Sequence, residues 1–314
     1  ALHRVMLAHN LSGSHPAFFI LAGIPGLEKS HTWISIPVCL MYTTALLGNM
    51  VLLVIIMKER SLHQPMYIFL CMLAVCDLLL STATVPKTLG VLWSLSTHIS
   101  FNGCLAQMFC VYFIFVVESA ILLAMAFDRY IAICDPLRYT AILTQSVVGK
   151  VGMVALTRSF SIMLPPIFLL KRLPYCGHNV MLHTYCEHIG VARLACADIS
   201  INVWYGVAAS FLSAGLDAVS IAVSYALILR SVWALPSPHT SPKALHTCGS
   251  HLCVIAMFYT PAFFSFLAHC FGQHVPQRVL ISLANLYVVV PPMLNPIVYG
   301  VRTRPIRERV AHLL

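Results

Sequence analysis

The sequence predicts an all-α membrane protein, a seven-transmembrane helix bundle with a short amphipathic C-terminal helix. Three observations carry this. The chain has 314 residues of which 59% are hydrophobic and only 9% charged, whereas a soluble domain averages about a quarter charged residues. Seven apolar runs each reach the about 20 residues that a bilayer crossing needs. Lys and Arg gather in alternate loops between those runs. With a mean hydropathy of +0.85, the chain could not cover its surface in water. Its net charge of +9 therefore bears on topology rather than on nucleic acid, because the basic residues fall between apolar runs without interleaved aromatics.

The runs lie near 33–57, 66–92, 102–127, 147–170, 199–229, 244–270 and 279–301, and all belong to one domain, 1–314. Charges inside them are few: Asp77, Lys87, Glu118, Arg158 and Asp217. The first thirty residues are mixed and polar, without the compact basic-then-apolar start of a cleavable signal. The 236–242 stretch is a loop because its prolines forbid a helix. Residues 303–314 end the chain as a basic tail helix lying on the lipid headgroups. Prolines 261, 291, 292 and 296 break the backbone ladders of the last two spans.

Orientation follows from the short loops. Lys58 and Arg60 follow span one, Arg129, Arg138 and Lys150 follow span three, Arg230 and Lys243 flank the loop after span five, and Arg302, Arg304, Arg307 and Arg309 follow span seven. The loops at 93–101 and 271–277 contain no Lys or Arg. The positive-inside rule then puts residues 1–30 outside and the C-terminus in the cytosol. Asn10-Leu11-Ser12 is a glycosylation sequon on that outer end.

Cys104 falls at the outer end of span three, and Cys176, Cys186 and Cys196 lie ten apart in the long outer loop. An oxidising exterior favours two disulfides, for which sequence allows three pairings. A metal site is the competing reading, since His178, His183 and His188 interleave with these cysteines. Cys39, Cys71, Cys76, Cys110, Cys134, Cys248 and Cys253 read as packing thiols. Asn49, Asp77, Glu118 and Asn295 stand in otherwise apolar runs, where ionisable groups usually face the bundle interior and mark a function. For the Asp77 and Glu118 pair a bound sodium ion is the preferred account, and protonation of one acid the alternative. Asp128-Arg129 ends the third apolar run, just before a Pro-broken basic loop, where arginine needs a partner or an aqueous outlet.

Gly48-Asn49, Leu73-Ala74-Val75-Cys76-Asp77, Asp128-Arg129-Tyr130 and Asn295-Pro296-Ile297-Val298-Tyr299 occur in the order found in rhodopsin-like G-protein-coupled receptors. Pro65-Met66-Tyr67, Met125 to Tyr139, Ser224-Tyr225, Lys243-Ala244 with Thr247-Cys248-Gly249-Ser250-His251, and Pro291 to Pro296 resemble vertebrate odorant receptors. Leu21 to Glu28 and Leu173-Pro174-Tyr175-Cys176 are similar to the class I, fish-like branch, and the resemblance covers roughly 18–310.

The resemblance implies a plasma-membrane, non-enzymatic receptor that binds a small odorant between spans three, five and six. It would activate a heterotrimeric G protein of the stimulatory, olfactory type and raise cAMP. It implies pairing of Cys104 with Cys186 and of Cys176 with Cys196, an inner ion site at Asp77 and Glu118, and a pocket of Phe109, Tyr112, Phe113, Met163, His188, Gly206, Ser210, Tyr259, Phe266 and Cys270. Asp128, Arg129, Tyr130, Tyr225, His251, Asn295, Pro296 and Tyr299 would serve activation and G-protein coupling. Three positions depart from the pattern. Phe127 replaces a Tyr, His246 replaces a Ser, and Cys270 stands where acid-binding relatives carry Arg. An Arg pairs bidentately with a carboxylate and a thiol does not, so the expected ligand is less anionic than a fatty acid, or an acid held more weakly. His269, His188, Lys87 and Arg278 are the other cationic or titratable candidates. A retinal-binding pump would need a Lys in the last span, which 279–301 lacks. Inverted repeats that would suggest a transporter are not evident, and no nucleophile-and-base set suggests an enzyme. The remaining alternatives are a receptor of the same class sensing a metabolite outside the nose, and a constitutive receptor without an odorant.

Overall fold

The computed structural model describes residues 15–234, 241–271 and 276–313, with side chains placed for 15–233, 248–264, 276–300, 303 and 305–311. Helix α1 is His31–Lys58, α2 Pro65–Leu92, α3 Phe101–Cys134 and α4 Gln145–Lys171. Helix α5 runs through three continuous pieces, Ser200–Ser210, a π-helical turn Phe211–Gly215 and Leu216–Ala234. Helices α6, Ser241–Phe271, and α7, Gln277–Arg302, complete the bundle, and α8, Arg304–Leu313, follows. The seven-helix membrane bundle expected from the sequence is therefore present, as a multi-pass protein. Six of its helices are long and apolar enough to cross a bilayer, and α6 contributes the shorter apolar stretch Cys248–Phe264.

Helix α3 is central, packed against α2, α4 and α5, while α7 closes the ring against α1, α2 and α6. Several starts follow local chemistry. Ser100 caps α3 by accepting from the Gly103 amide, and Thr144 caps α4 by accepting from Val147. Pro65 opens α2 at a position where its missing N–H costs nothing.

As the two unbroken apolar runs led one to expect, α6 and α7 run on through their prolines, which remove ladder bonds without ending either helix. One freed carbonyl finds another donor. Pro296 cannot donate to the Pro292 carbonyl one turn back, and Asn49 of α1 donates to it instead at 2.9 Å. Gly48 lets that approach happen, because a Cβ there would stand 2.7 Å from the Pro296 ring.

A small sheet was not expected. Strand β1, Phe18–Leu21, lies between β2, His98–Ser100, and β3, Val180–Met181. It runs antiparallel to β2 and parallel to β3. Phe19 and Leu21 face inward and join Phe101, Tyr175 and Leu170 in a second apolar core over one end of the bundle. The strands are too short for an alternating pattern to stand out in sequence.

Candidate functional site: a cavity linked to a paired arginine

The structure joins Cys104 to Cys186 and Cys176 to Cys196, with Cα–Cα separations of 5.5 and 6.1 Å. The first bridge ties the long loop to the start of α3. Gln107 reinforces it, accepting from the Cys186 amide at 3.0 Å and donating to the Ala83 carbonyl at 3.0 Å. Thr184 donates to Asn285 of α7 at 2.8 Å. The loop is thus fastened to α2, α3 and α7. His178, His183 and His188 are left without thiolates beside them, and among the described residues no group of three or more potential ligands could hold a metal.

Beneath this loop lies a cavity of about 790 Å³ walled by α3, α4, α5, α6, α7 and the one-turn helix His188–Ala192. Phe109, Tyr112, Met163, His188, Gly206, Ser210 and Tyr259 line it. Gly206 stands opposite His188, with the imidazole 3.6 Å from where a Cβ would be. Phe113 is not on the described wall. It lies one helical turn beyond Phe109 and stacks on that ring at 5.5 Å, so its own face is turned to a neighbour rather than to the space. The Phe266 and Cys270 side chains lie outside the described residues, as do Asn10 and the side chain of His246. Phe115, Glu187, Phe263 and Tyr287 line the cavity although the sequence did not single them out. The π-helical turn of α5 also faces it through Phe211, Ser213 and Ala214, and such turns often sit at functional sites.

Under the cavity a polar chain crosses four helices. Arg158 of α4 makes a two-pronged contact with Asp217 of α5, at 2.8 and 2.9 Å. Ser119 of α3 donates to Asp217 at 2.8 Å and meets the Tyr259 hydroxyl of α6 at 2.7 Å. Tyr259 is at once part of the wall and the end of this chain. Sequence flagged Arg158 and Asp217 as charges inside spans, but their pairing across 59 positions left no local signal, and Ser119 left none at all.

Below it, Asp77 accepts two hydrogen bonds from the Asn295 amide, at 3.1 and 3.0 Å, and is buried with Glu118, Asn49 and Asn295. One oxygen each of Glu118, Asn49 and Asn295 is buried with no hydrogen-bond partner among the described residues. These are hard oxygen donors facing a common interior, and they suit a small cation.

At the far end Arg129 donates to Asp128 through Nε at 3.0 Å and Nη2 at 2.5 Å. Tyr139, in the loop after α3, donates to the other Asp128 oxygen at 2.8 Å. Burial first, and then the Asp128 carboxylate, hold the Tyr139 hydroxyl above the ordinary phenol range. Tyr225 and His251 meet at 2.6 Å between α5 and α6. Tyr130 packs beside the core, Pro296 lies in α7, and the buried Tyr299 hydroxyl has no partner among the described residues.

The sequence profile described as Olfactory receptor matches residues 38–314. The chain is 62% identical to Olfactory receptor 52B2 of Homo sapiens over 303 residues, covering 96% of this chain and 94% of that one. It is 60% identical to Olfactory receptor 52D1 of Homo sapiens, covering 97% and 96%, and 57% identical to Olfactory receptor 52H1 of the same species, covering 97% of each.

Proposed function

Because the chain belongs to the olfactory receptor family, a non-enzymatic family of G-protein-coupled receptors that bind odorants, we propose that its cavity is the odorant site and that Arg129 is its output. The observation that carries this is Tyr259, which touches the cavity on one side and the Ser119–Asp217–Arg158 chain on the other. A small, largely apolar ligand filling the space under the loop draws α5 and α6 together around Tyr259. A ligand shifts the receptor only by its difference in affinity between resting and active forms, and moving a rare active state to dominance takes about 5.5 kcal/mol.

In the resting form Arg129 is held by Asp128, and Asp128 by Tyr139. Activation releases the guanidinium toward the G protein, while Tyr225, His251 and Tyr299 line the opened end. The residues 1–30 face outward, Asn10 carries a glycan, α8 lies on the cytosolic leaflet, and the receptor works at the plasma membrane. A sodium ion between Asp77 and Glu118 stabilises the resting arrangement. The G protein is of the stimulatory, olfactory type, and the readout is cAMP.

The test is a panel of acids, aldehydes, alcohols, ketones and amines in cells reporting cAMP, with Arg129→Ala alongside. At least one compound should raise cAMP, and Arg129→Ala should abolish the response with surface expression intact. Silence to the whole panel, with receptor at the surface, overturns the reading of the cavity as an odorant site coupled to cAMP.

A further inference from the structure

We propose that Glu187 sets the ligand class of this receptor, making the cavity select a protonated amine over a carboxylate of the same length. The proposal rests on the cavity being the odorant site, and adds to it the chemistry of the headgroup.

Among the described residues lining the cavity, Glu187 is the one Asp, Glu, Lys or Arg. Its side chain keeps 32% of its surface accessible, although it follows the buried Cys186 and precedes the buried His188. Its backbone is fixed. The Cys104–Cys186 bridge holds the preceding residue, Gln107 accepts from the Cys186 amide, and the Glu187 carbonyl accepts from Val191 at 2.9 Å. A carboxylate placed on a rigid wall can discriminate charge because it does not retreat from the wrong partner.

The groups facing Glu187 leave its charge largely uncompensated. His183 approaches to 4.0 Å, but burial pushes that imidazole down to about 4, so it is neutral at physiological pH. Arg193 pulls the Glu187 value down, yet burial is the larger effect and the net direction is up. Arg193 itself is exposed, where water screens it. Tyr112 and Tyr185 contribute neutral hydroxyls on the same side. A half-buried carboxylate short of cations gains from an incoming ammonium, and an incoming carboxylate meets like charge there.

Other cations in reach are committed elsewhere or absent. Lys87 donates to Ser96 at 2.9 Å and to the His98 carbonyl at 2.6 Å. Arg278 is exposed in the first turn of α7. Positions 265–275, which include Cys270, contain no Lys or Arg. The described cavity wall therefore offers an incoming carboxylate no Lys or Arg.

The experiment uses the full-length receptor in cAMP-reporting cells with octylamine, octanol and octanoic acid, which share a chain and differ in headgroup. Octylamine should be about tenfold or more potent than octanoic acid, the size of a charge-assisted hydrogen bond gained. Glu187→Gln, which keeps the shape, should remove that advantage and bring octylamine to the potency of octanoic acid or below. The wild-type ranking stands as a test by itself if the variant fails to reach the surface. Octanol active with octylamine no better than octanoic acid overturns the role of Glu187 and leaves the cavity reading intact. An octylamine advantage that survives in Glu187→Gln also overturns it. Silence to octylamine, with receptor at the surface and another member of the wider panel active, overturns the role of Glu187, whereas silence to the whole panel overturns both readings.

Discussion

The two ends of α3 are built on opposite plans. At the Arg129 end the strong polar groups satisfy one another at short sequence range: Arg129 with its neighbour Asp128, and Asp128 with Tyr139 eleven positions on. At the cavity end the wall is mainly apolar, and its polar groups are brought together from four helices, as in Arg158–Asp217–Ser119–Tyr259. The first plan is a latch that a short stretch of chain can encode alone. The second exists only once the bundle has assembled. The latch is therefore shared wherever the short stretch recurs, whereas the cavity changes with any substitution on any of its walls.

The largest effect that sharpens this contrast is expected at Asp217. Asp217→Asn keeps the shape but leaves the partly buried Arg158 guanidinium without a counter-charge, at a cost of about 3–5 kcal/mol. Thermal unfolding of the detergent-solubilised receptor measures it. Changing Arg158 and Asp217 together to Leu should recover most of the loss, because no unpaired charge remains. A double variant as unstable as Asp217→Asn would mean the chain is more than a charge pair.

A smaller effect belongs to the loop over the cavity. His183 ionises near 6.5 when unperturbed and only at about 4 in the folded loop. Between those values the unfolded chain takes a proton that the folded loop refuses. Stability is thus intact above pH 6.5 and falls as pH drops toward 4, by up to about 3 kcal/mol. Glu187, whose value is raised, acts in the opposite sense, so the difference between wild type and His183→Asn isolates the imidazole. Unfolding temperatures at pH 7 and 4.5 should fall less in the variant; equal falls would remove His183 as the cause.

The smallest effect probes the latch. Tyr139→Phe removes one hydrogen bond to Asp128, worth about 1 kcal/mol. Basal cAMP should rise roughly fivefold at equal surface expression. No change, or a fall, would show that Tyr139 does not restrain Asp128.

The same contrast explains what could be read from the sequence. Helix positions were legible because about 20 apolar residues in a row have few other solutions, and the observed helices match the seven runs to within a few residues at most ends. Helix α3 is the exception, continuing past residue 127 to Cys134 because the Asp128–Arg129 pair neutralises itself within the helix. That α6 and α7 continue through their prolines was legible from the unbroken apolar runs, but the donor that replaces a lost ladder bond, Asn49 at the Pro292 carbonyl, was not, because it lies far away in sequence. Phe113 was placed in the pocket and instead stacks on Phe109 one helical turn away, a packing choice that no motif records. Glu187 was passed over because a single acid beside a cysteine in a loop reads as ordinary solvated surface until the loop is folded inward.

The small sheet has a consequence for how the receptor is made. Strand β1 must wait for β2, some eighty residues later, and for β3, a further eighty on, before all its ladder bonds exist. Four helices have to be threaded through the membrane in the interval. Closure of the sheet thus comes late in biogenesis and certifies that the first half of the chain has been laid down in the right order. Until then Phe19 and Leu21 remain uncovered, so a fault anywhere in the first four crossings leaves this second apolar core unclosed.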